Sequence, residues 1–204
     1  GERLIVVHDD FKMPQDADWL PLDQVSDAQC VLVDLRWSEG AKILAAEARR
    51  RGIPSVLDVD LSPDPKGLEL VPLVTHAIFS RPALARYADD DGLESGLRKA
   101  AKRTDGLVGV TAGSGGFYWL DGDQLRSVTP PNVEVVDTLG AGDVFHGAFA
   151  LALAEGSAVA QAAQFATAAA TLKCTRQGGW TAMPYRSEVE DFVHANFAPT
   201  TCAV

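Results

Sequence analysis

The chain has 204 residues, with 28 acidic against 18 basic side chains and a net charge of −10 at pH 7. With 47% hydrophobic and 23% charged residues it has the composition of a folded globular protein, long enough for one substantial core. The surplus of carboxylates excludes a binder of the nucleic-acid backbone, which needs an excess of cations to displace counterions. The longest apolar run in the second half, residues 148–154, ends at Glu155 and is far too short to cross a bilayer, so no membrane partner is expected.

The three cysteines, Cys30, Cys174 and Cys202, form no CxxC pair. They fit reduced thiols in a cytoplasmic protein. No basic segment followed by an apolar one opens the chain, so no secretory signal is expected. Leu4, Ile5, Val6 and Val7 already read as a strand, which suggests part of a longer polypeptide. Residues 30–33 form a second apolar run. Ser38 then offers an N-cap for a helix that keeps its apolar spacing through Ile43, Leu44 and Ala48 and stops at Gly52. Residues 54–60 and 76–79 read as further strands, separated by loop chemistry at 62–67 with two prolines and a glycine. Ser80 caps a short helix over 81–87, and Leu93, Leu97, Ala100 and Ala101 mark another.

Residues 107–110 make a strand, 112–116 a glycine-rich turn, and 117–128 a hairpin about Asp121, Gly122 and Asp123. From Asp143 to Glu155 the sequence is apolar on all sides, the mark of a buried helix. An Ala-rich helix follows over 158–172. Ser187 and Glu190 have capping-box spacing ahead of a last helix that shows Val189, Phe192, Val193 and Phe197 on one face. Strands and helices alternating this regularly predict an α/β fold with a mostly parallel sheet.

The chemistry is concentrated in the stretch Asp137, Thr138, Leu139, Gly140, Ala141, Gly142, Asp143. Glycines at 140 and 142 let the backbone turn tightly and approach a ligand. The helix that starts here offers unpaired N–H groups at its positive end, an anion hole for a transferring phosphoryl group, with Asp143 in the same turn to face a hydroxyl. Helix N-termini stabilise the carboxylate anion and so make a weak base, which suffices if the proton moves late. Read alone, the four letters are equally a plain strand-to-helix turn. Thr111, Gly113 and Gly116 form a second glycine-rich turn. It is not the dinucleotide fingerprint, which needs Gly-x-Gly-x-x-Gly entering a helix, and no P-loop sequence occurs. An NAD-dependent oxidoreductase is disfavoured on that ground.

Together these segments resemble the ribokinase (PfkB) family of carbohydrate kinases. The carriers are the Thr-x-Gly-x-x-Gly turn at 111–116, the Asp-Thr-x-Gly-Ala-Gly-Asp signature at 137–143, and Lys173, Cys174, Gln177 and Gly178 after the Ala-rich helix. Within the family the chain looks most like the ketohexokinase-type branch. The resemblance implies a three-layer ribokinase-like fold and places residues 1–204 as one α/β kinase domain, the C-terminal part of a longer one, without the N-terminal third and its lid. It implies an ATP-dependent kinase of a ketose or related sugar. Asp143 would be the base, Gly140, Ala141 and Gly142 the anion hole, and Thr111, Gly113, Gly116, Cys174 and Gly178 the nucleotide site. Mg²⁺ would accompany ATP, and Asp137 and Thr138 match positions that hold a monovalent cation such as K⁺. A homodimer is compatible with the family, whose members pair through the lid. The alternative is a catalytically incompetent nucleotide-binding fragment.

In two respects the sequence departs from the family pattern. Ser80 and Ala83 stand where the family's phosphate and metal motif has Asn and Glu, and the loop over 179–183 is poorly matched. The remaining polar residues stay open between roles: His146 as a core histidine or a site contact, Asp58 and Asp60 as strand-end or structural carboxylates, and His8, Asp9 and Asp10 as strand-end charges or sugar contacts. The four tryptophans, Trp19, Trp37, Trp119 and Trp180, suggest packing.

Overall fold

Runs of β-branched and aliphatic residues, each bounded by polar or glycine-rich segments, set the strands. The computed structural model describes residues 16–62 and 65–197. The strand expected at Leu4 to Val7, together with His8, Asp9, Asp10, Pro63, Asp64 and Cys202, lies outside the described residues. Among the described residues six strands form one sheet in chain order: β1 (Val31–Val33), β2 (Ser55–Val59), β3 (His76–Ser80), β4 (Leu107–Thr111), β5 (Phe117–Asp121) and β6 (Gln124–Val128). β1 to β4 are parallel, and β5 and β6 add an antiparallel hairpin. The sheet is therefore mostly parallel, as the alternation of elements predicted.

Six helices cover it: α1 (Ser38–Arg51), α2 (Arg81–Ala88), α3 (Leu93–Ala101), α4 (Ala141–Ala154), α5 (Val159–Cys174) and α6 (Arg186–Asn196). Strand side chains alternate between faces. Leu57, Val59, Phe79, Val108 and Val110 pack under α1, α2 and α3 through Ala45, Leu84 and Leu97. On the opposite face Val56, Ile78, Phe117 and Trp119 meet Phe145 and Phe149 of α4, backed by Ala162, Ala163 and Ala166 of α5. The result is three layers, helix, sheet and helix, with both faces of β2, β3 and β4 buried. The small side chains of α5 let α4 lie close against it, and α6 closes the outside with Val189, Phe192, Val193 and Phe197.

Several boundaries differ from the sequence reading. Ser38 is the first residue of α1 rather than its cap, which is Trp37. Part of the segment read as a loop is a 3-10 helix, Pro65–Leu73. The capping box sits two residues early: Tyr185 precedes α6 and its N–H donates to Glu188 Oε2 at 2.7 Å, while Glu190 pairs with Arg186 at 3.0 Å. Arg176 binds the same Glu188, and that anchor fixes the helix start. Packing holds for Trp119, which is buried, but Trp180 is 80% exposed, and Trp19, itself exposed, stacks on Trp37 at 5.3 Å.

His76 shows the electrostatic character of this interior. Burial pushes its imidazole down to about 4, with Nδ1 at 2.8 Å from Thr75 Oγ1. An unfolded chain, with a histidine near the ordinary value of about 6.5, takes up that proton first as the pH falls. The histidine's contribution is therefore intact above about 6.5 and is lost toward about 4, at up to about 1.4 kcal/mol per pH unit. Urea denaturation of His76→Leu is expected to show a shallower loss of stability from neutral pH to pH 5 than the parent; equal slopes would contradict this.

Candidate active site

The turn into α4 is built by two backbone bonds: Ala141 N–H donates to Thr138 O at 3.2 Å and Val144 N–H to Gly140 O at 2.9 Å. Gly140 holds φ at 75°, a left-handed conformation that glycine adopts without strain. The N–H groups of Gly140 and Gly142 have no backbone acceptor among the described residues and stand at the positive end of the helix. The Ala141 N–H is already engaged, so of the three expected donors this arrangement leaves the two glycines. Asp143, in the first turn, is exposed.

Asp143 opens on a cleft of about 390 Å³ shared with Asp34, Trp37, Asp58 and His146. The cleft lies at the carboxyl ends of β1 and β2, the edge where α/β sheets take their ligands. His146, one turn along α4, is 3% exposed. Its Nδ1 lies 2.8 Å from Gly142 O and 3.4 Å from Asp58 Oδ2. Both neighbours are acceptors, so a proton on this nitrogen would serve either. Nε2 faces Ile78 O at 3.4 Å. His146 is thus both a hydrogen-bonded core residue and a wall of the cleft. Burial raises the Asp58 carboxyl; the His146 ring opposes the rise, and the nearby charges of Asp143, Asp60 and Asp34 add to it.

Behind the turn, Asp137 gathers most of the polar contacts. Its Oδ1 accepts the Leu139 N–H at 2.9 Å and its Oδ2 the Gly178 N–H at 3.3 Å. Lys173, the penultimate residue of α5, sends its ammonium to Asp137 O at 3.0 Å and Asp137 Oδ2 at 3.3 Å. Cys174 O accepts the N–H groups of both Val136 and Asp137, at 2.8 and 3.1 Å. Cys174 and Gly178 are therefore tied directly to the segment that leads into the anion-binding turn. The Asp137 carboxyl is held below the usual range by the Leu139 N–H first, then by Lys173 and the Gly178 N–H.

The other glycine-rich turn follows β4, whose Thr111 pairs in register with Ser80 of β3. Thr111 Oγ1 donates to Phe79 O at 3.3 Å, and Gly113 begins a 3-10 turn that closes with Gly116 N–H on Gly113 O at 3.0 Å. Gly116 has φ 94°, and a Cβ there would stand 2.1 Å from Val128 O. The hairpin itself demands that glycine. Ser80 Oγ donates to Asp60 Oδ1 at 2.7 Å and accepts the Ala83 N–H at 3.3 Å, so the departures at 80 and 83 serve as a helix cap. Reading the residues alone missed Asp34 altogether, and also missed the contact of Asp58 with His146 and the bond of Lys173 to Asp137. A lysine within an Ala-rich helix that must be buried was the available signal for the last.

The chain matches the description "pfkB family carbohydrate kinase" over residues 4–186. It is 37% identical to an Agrobacterium tumefaciens protein of known crystal structure, provisionally called a ribokinase, with a TM-score of 0.89 over 96% of this chain and 65% of that one. Arabidopsis thaliana ribokinase, solved in complex with ribose and ATP, is 29% identical with a TM-score of 0.77, over 84% of this chain and 58% of that one. The ribokinase of Lactococcus lactis is 33% identical over 60% of this chain and 40% of its own length. Weaker matches include a fructokinase of Vibrio alginolyticus and the fructoselysine 6-kinase of Escherichia coli. The chain spans less than two thirds of the length of these proteins.

A contrast between two glycines tests the geometry. A Cβ on Gly142 meets nothing within 4 Å, whereas one on Gly116 collides with a backbone oxygen. Chemical denaturation is expected to leave Gly142→Ala within about 1 kcal/mol of the parent and to show Gly116→Ala destabilised by about 2 kcal/mol or more. Similar values for the two variants would refute the assignment.

Proposed function

We infer that this chain, which belongs to the pfkB family of carbohydrate kinases, serves the ATP-dependent phosphorylation of a hydroxyl on a small sugar. The observation that carries the reading is the position of Asp143. It stands in the first turn of α4, beside two N–H groups without acceptors among the described residues, and opens on a largely apolar cleft into which Asp34, Asp58 and His146 also face. In the proposed step the sugar hydroxyl oxygen bonds to the γ-phosphorus of ATP while the bond from that phosphorus to the β,γ-bridging oxygen breaks. ADP leaves with that electron pair, and the hydroxyl proton passes to the Asp143 carboxylate. Gly140 and Gly142 N–H groups stabilise the charge that builds on the phosphoryl oxygens. The role of Ala141 is to hold the turn through its bond to Thr138 rather than to face the anion.

Thr111, Gly113, Cys174 and Gly178 are read as the nucleotide side of the site, with Gly116 shaping the hairpin beneath. Mg²⁺ supplies charge neutralisation to the triphosphate when bound. No three His, Cys, Asp or Glu among the described residues are arranged to grip a metal ion. The nucleotide's phosphates and water would therefore hold it, with Asp58 and Asp60 as carboxylates suited to outer contact. His146 keeps Asp58 oriented through Nδ1, and that orientation is lost without the ring.

The sugar is read as a ketose or a pentose. The ketohexokinase-like features at Val136 to Leu139 and at Lys173 and Cys174 favour the first, and the ribokinases among the relatives the second. Ribose and fructose are therefore the sugars to supply first. In the protein that carries this chain, Asp143→Asn is expected to lower sugar-dependent ADP release by at least about 100-fold while leaving the affinity for Mg²⁺-ATP nearly unchanged. Titration calorimetry measures the second quantity. Turnover that survives Asp143→Asn, or none with any sugar in the parent, would remove the reading.

A further inference from the structure

We propose that the Lys173 ammonium takes the place of a monovalent cation behind the anion-binding turn, so that this protein works without K⁺. The proposal rests on the kinase reading only for the purpose the charge serves. The observation is that the oxygens of Asp137 do not fit a free ion. Its backbone carbonyl and its carboxylate Oδ2 both lie within 3.3 Å of Lys173 Nζ. The carbonyl of Thr138, the other position assigned to a cation, already accepts the Ala141 N–H at 3.2 Å.

Two features make this more than an ordinary ion pair. Lys173 is 1% exposed at the end of a helix made largely of alanine. Burying an ammonium there is tolerable only if oxygens receive it. Its receivers are one carbonyl and one carboxylate oxygen, the hard donor set that alkali cations choose. An ammonium and K⁺ carry the same charge on much the same radius. A K⁺ seated on these two oxygens would touch the ammonium and be repelled by it.

The place of this charge in the fold gives it a purpose. Asp137 Oδ1 holds the Leu139 N–H, and the chain then runs straight into Gly140 and Asp143. Without Lys173 an uncompensated carboxylate would stand behind the turn where a phosphoryl group is to settle. A tethered ammonium neutralises it permanently, and needs no ion from solution. The same carboxylate also holds the Gly178 N–H, so Lys173 steadies both the anion-binding turn and the loop after α5.

The test uses the protein that carries this chain, in tetramethylammonium buffer with and without K⁺. Sugar-dependent ADP release and the thermal midpoint are read in each. The parent is expected to change its rate by less than about two-fold on adding K⁺ and to keep its midpoint. Lys173→Ala empties the space beside Asp137. Its rate is expected to fall at least about ten-fold without K⁺ and to recover with it, and its midpoint is expected to rise with K⁺. A parent stimulated about ten-fold by K⁺, or a folded Lys173→Ala whose rate and midpoint both ignore K⁺, overturns the proposal. If Lys173→Ala does not fold in either buffer, the parent's response decides alone. If no sugar is phosphorylated at all, the kinase reading fails, and the two midpoints still judge Lys173.

Discussion

One carboxylate, that of Asp137, organises the functional end of the molecule. A backbone amide from the turn ahead, an amide from the loop behind α5 and a buried ammonium all converge on it. Two segments distant in sequence, residues 137–139 and 173–178, are thereby held in one arrangement, and neither is a strand that a ladder of bonds would fix. The carbonyl of Cys174 reinforces the same junction by receiving two successive amides. Hydrogen bonds to a charged partner are stronger than neutral ones, and a network whose members are satisfied makes the junction rigid.

This local neutrality contrasts with the rest of the site. The chain is acidic, and the cleft carries Asp34, Asp58 and Asp143 around a single histidine. The basic groups around the end of α5 are committed elsewhere, Lys173 to Asp137 and Arg176 to Glu188. Among the described residues no lysine or arginine lines the cleft, so an anion arriving at the start of α4 is met there by backbone dipoles. Dipoles fixed by the fold need no reorganisation when charge appears, which suits a transient phosphoryl group better than a permanent salt bridge would.

The periodic parts of this architecture were legible in the residues. Strands such as residues 107–110, the stop at Gly52 and the cap at Ser80 follow from rules that act within a few positions, and each appears where expected. The start of α6 differs from the local capping-box signal because Arg176 anchors Glu188 from outside the helix, something no local spacing records. The turn around Gly140 could be located because glycine and helix-start signals coincide there. That Ala141 spends its amide on Thr138 could not be foreseen. The neighbours of Asp58 and Lys173 lie far away in the chain, and a single sequence carries no record of such contacts. The pfkB resemblance supplied the order of the motifs; the side-chain geometry among them had to come from the fold.

Strand order in the sheet follows strand order in the chain, so each strand finds its partner in the segment made just before it. The parallel strands are joined through helices that lie between them in sequence, so each pairing closes a local segment, and closure entropy grows only slowly with its length. The cleft is different. His146 reaches back 68 residues to the carbonyl of Ile78, and farther still to Asp58. A growing chain could thus assemble β1 to β6 while it is still being made, yet would have no cleft until α4 emerged and docked. Maturation of the site is therefore a late event in the life of each molecule, separate in time from acquisition of the sheet.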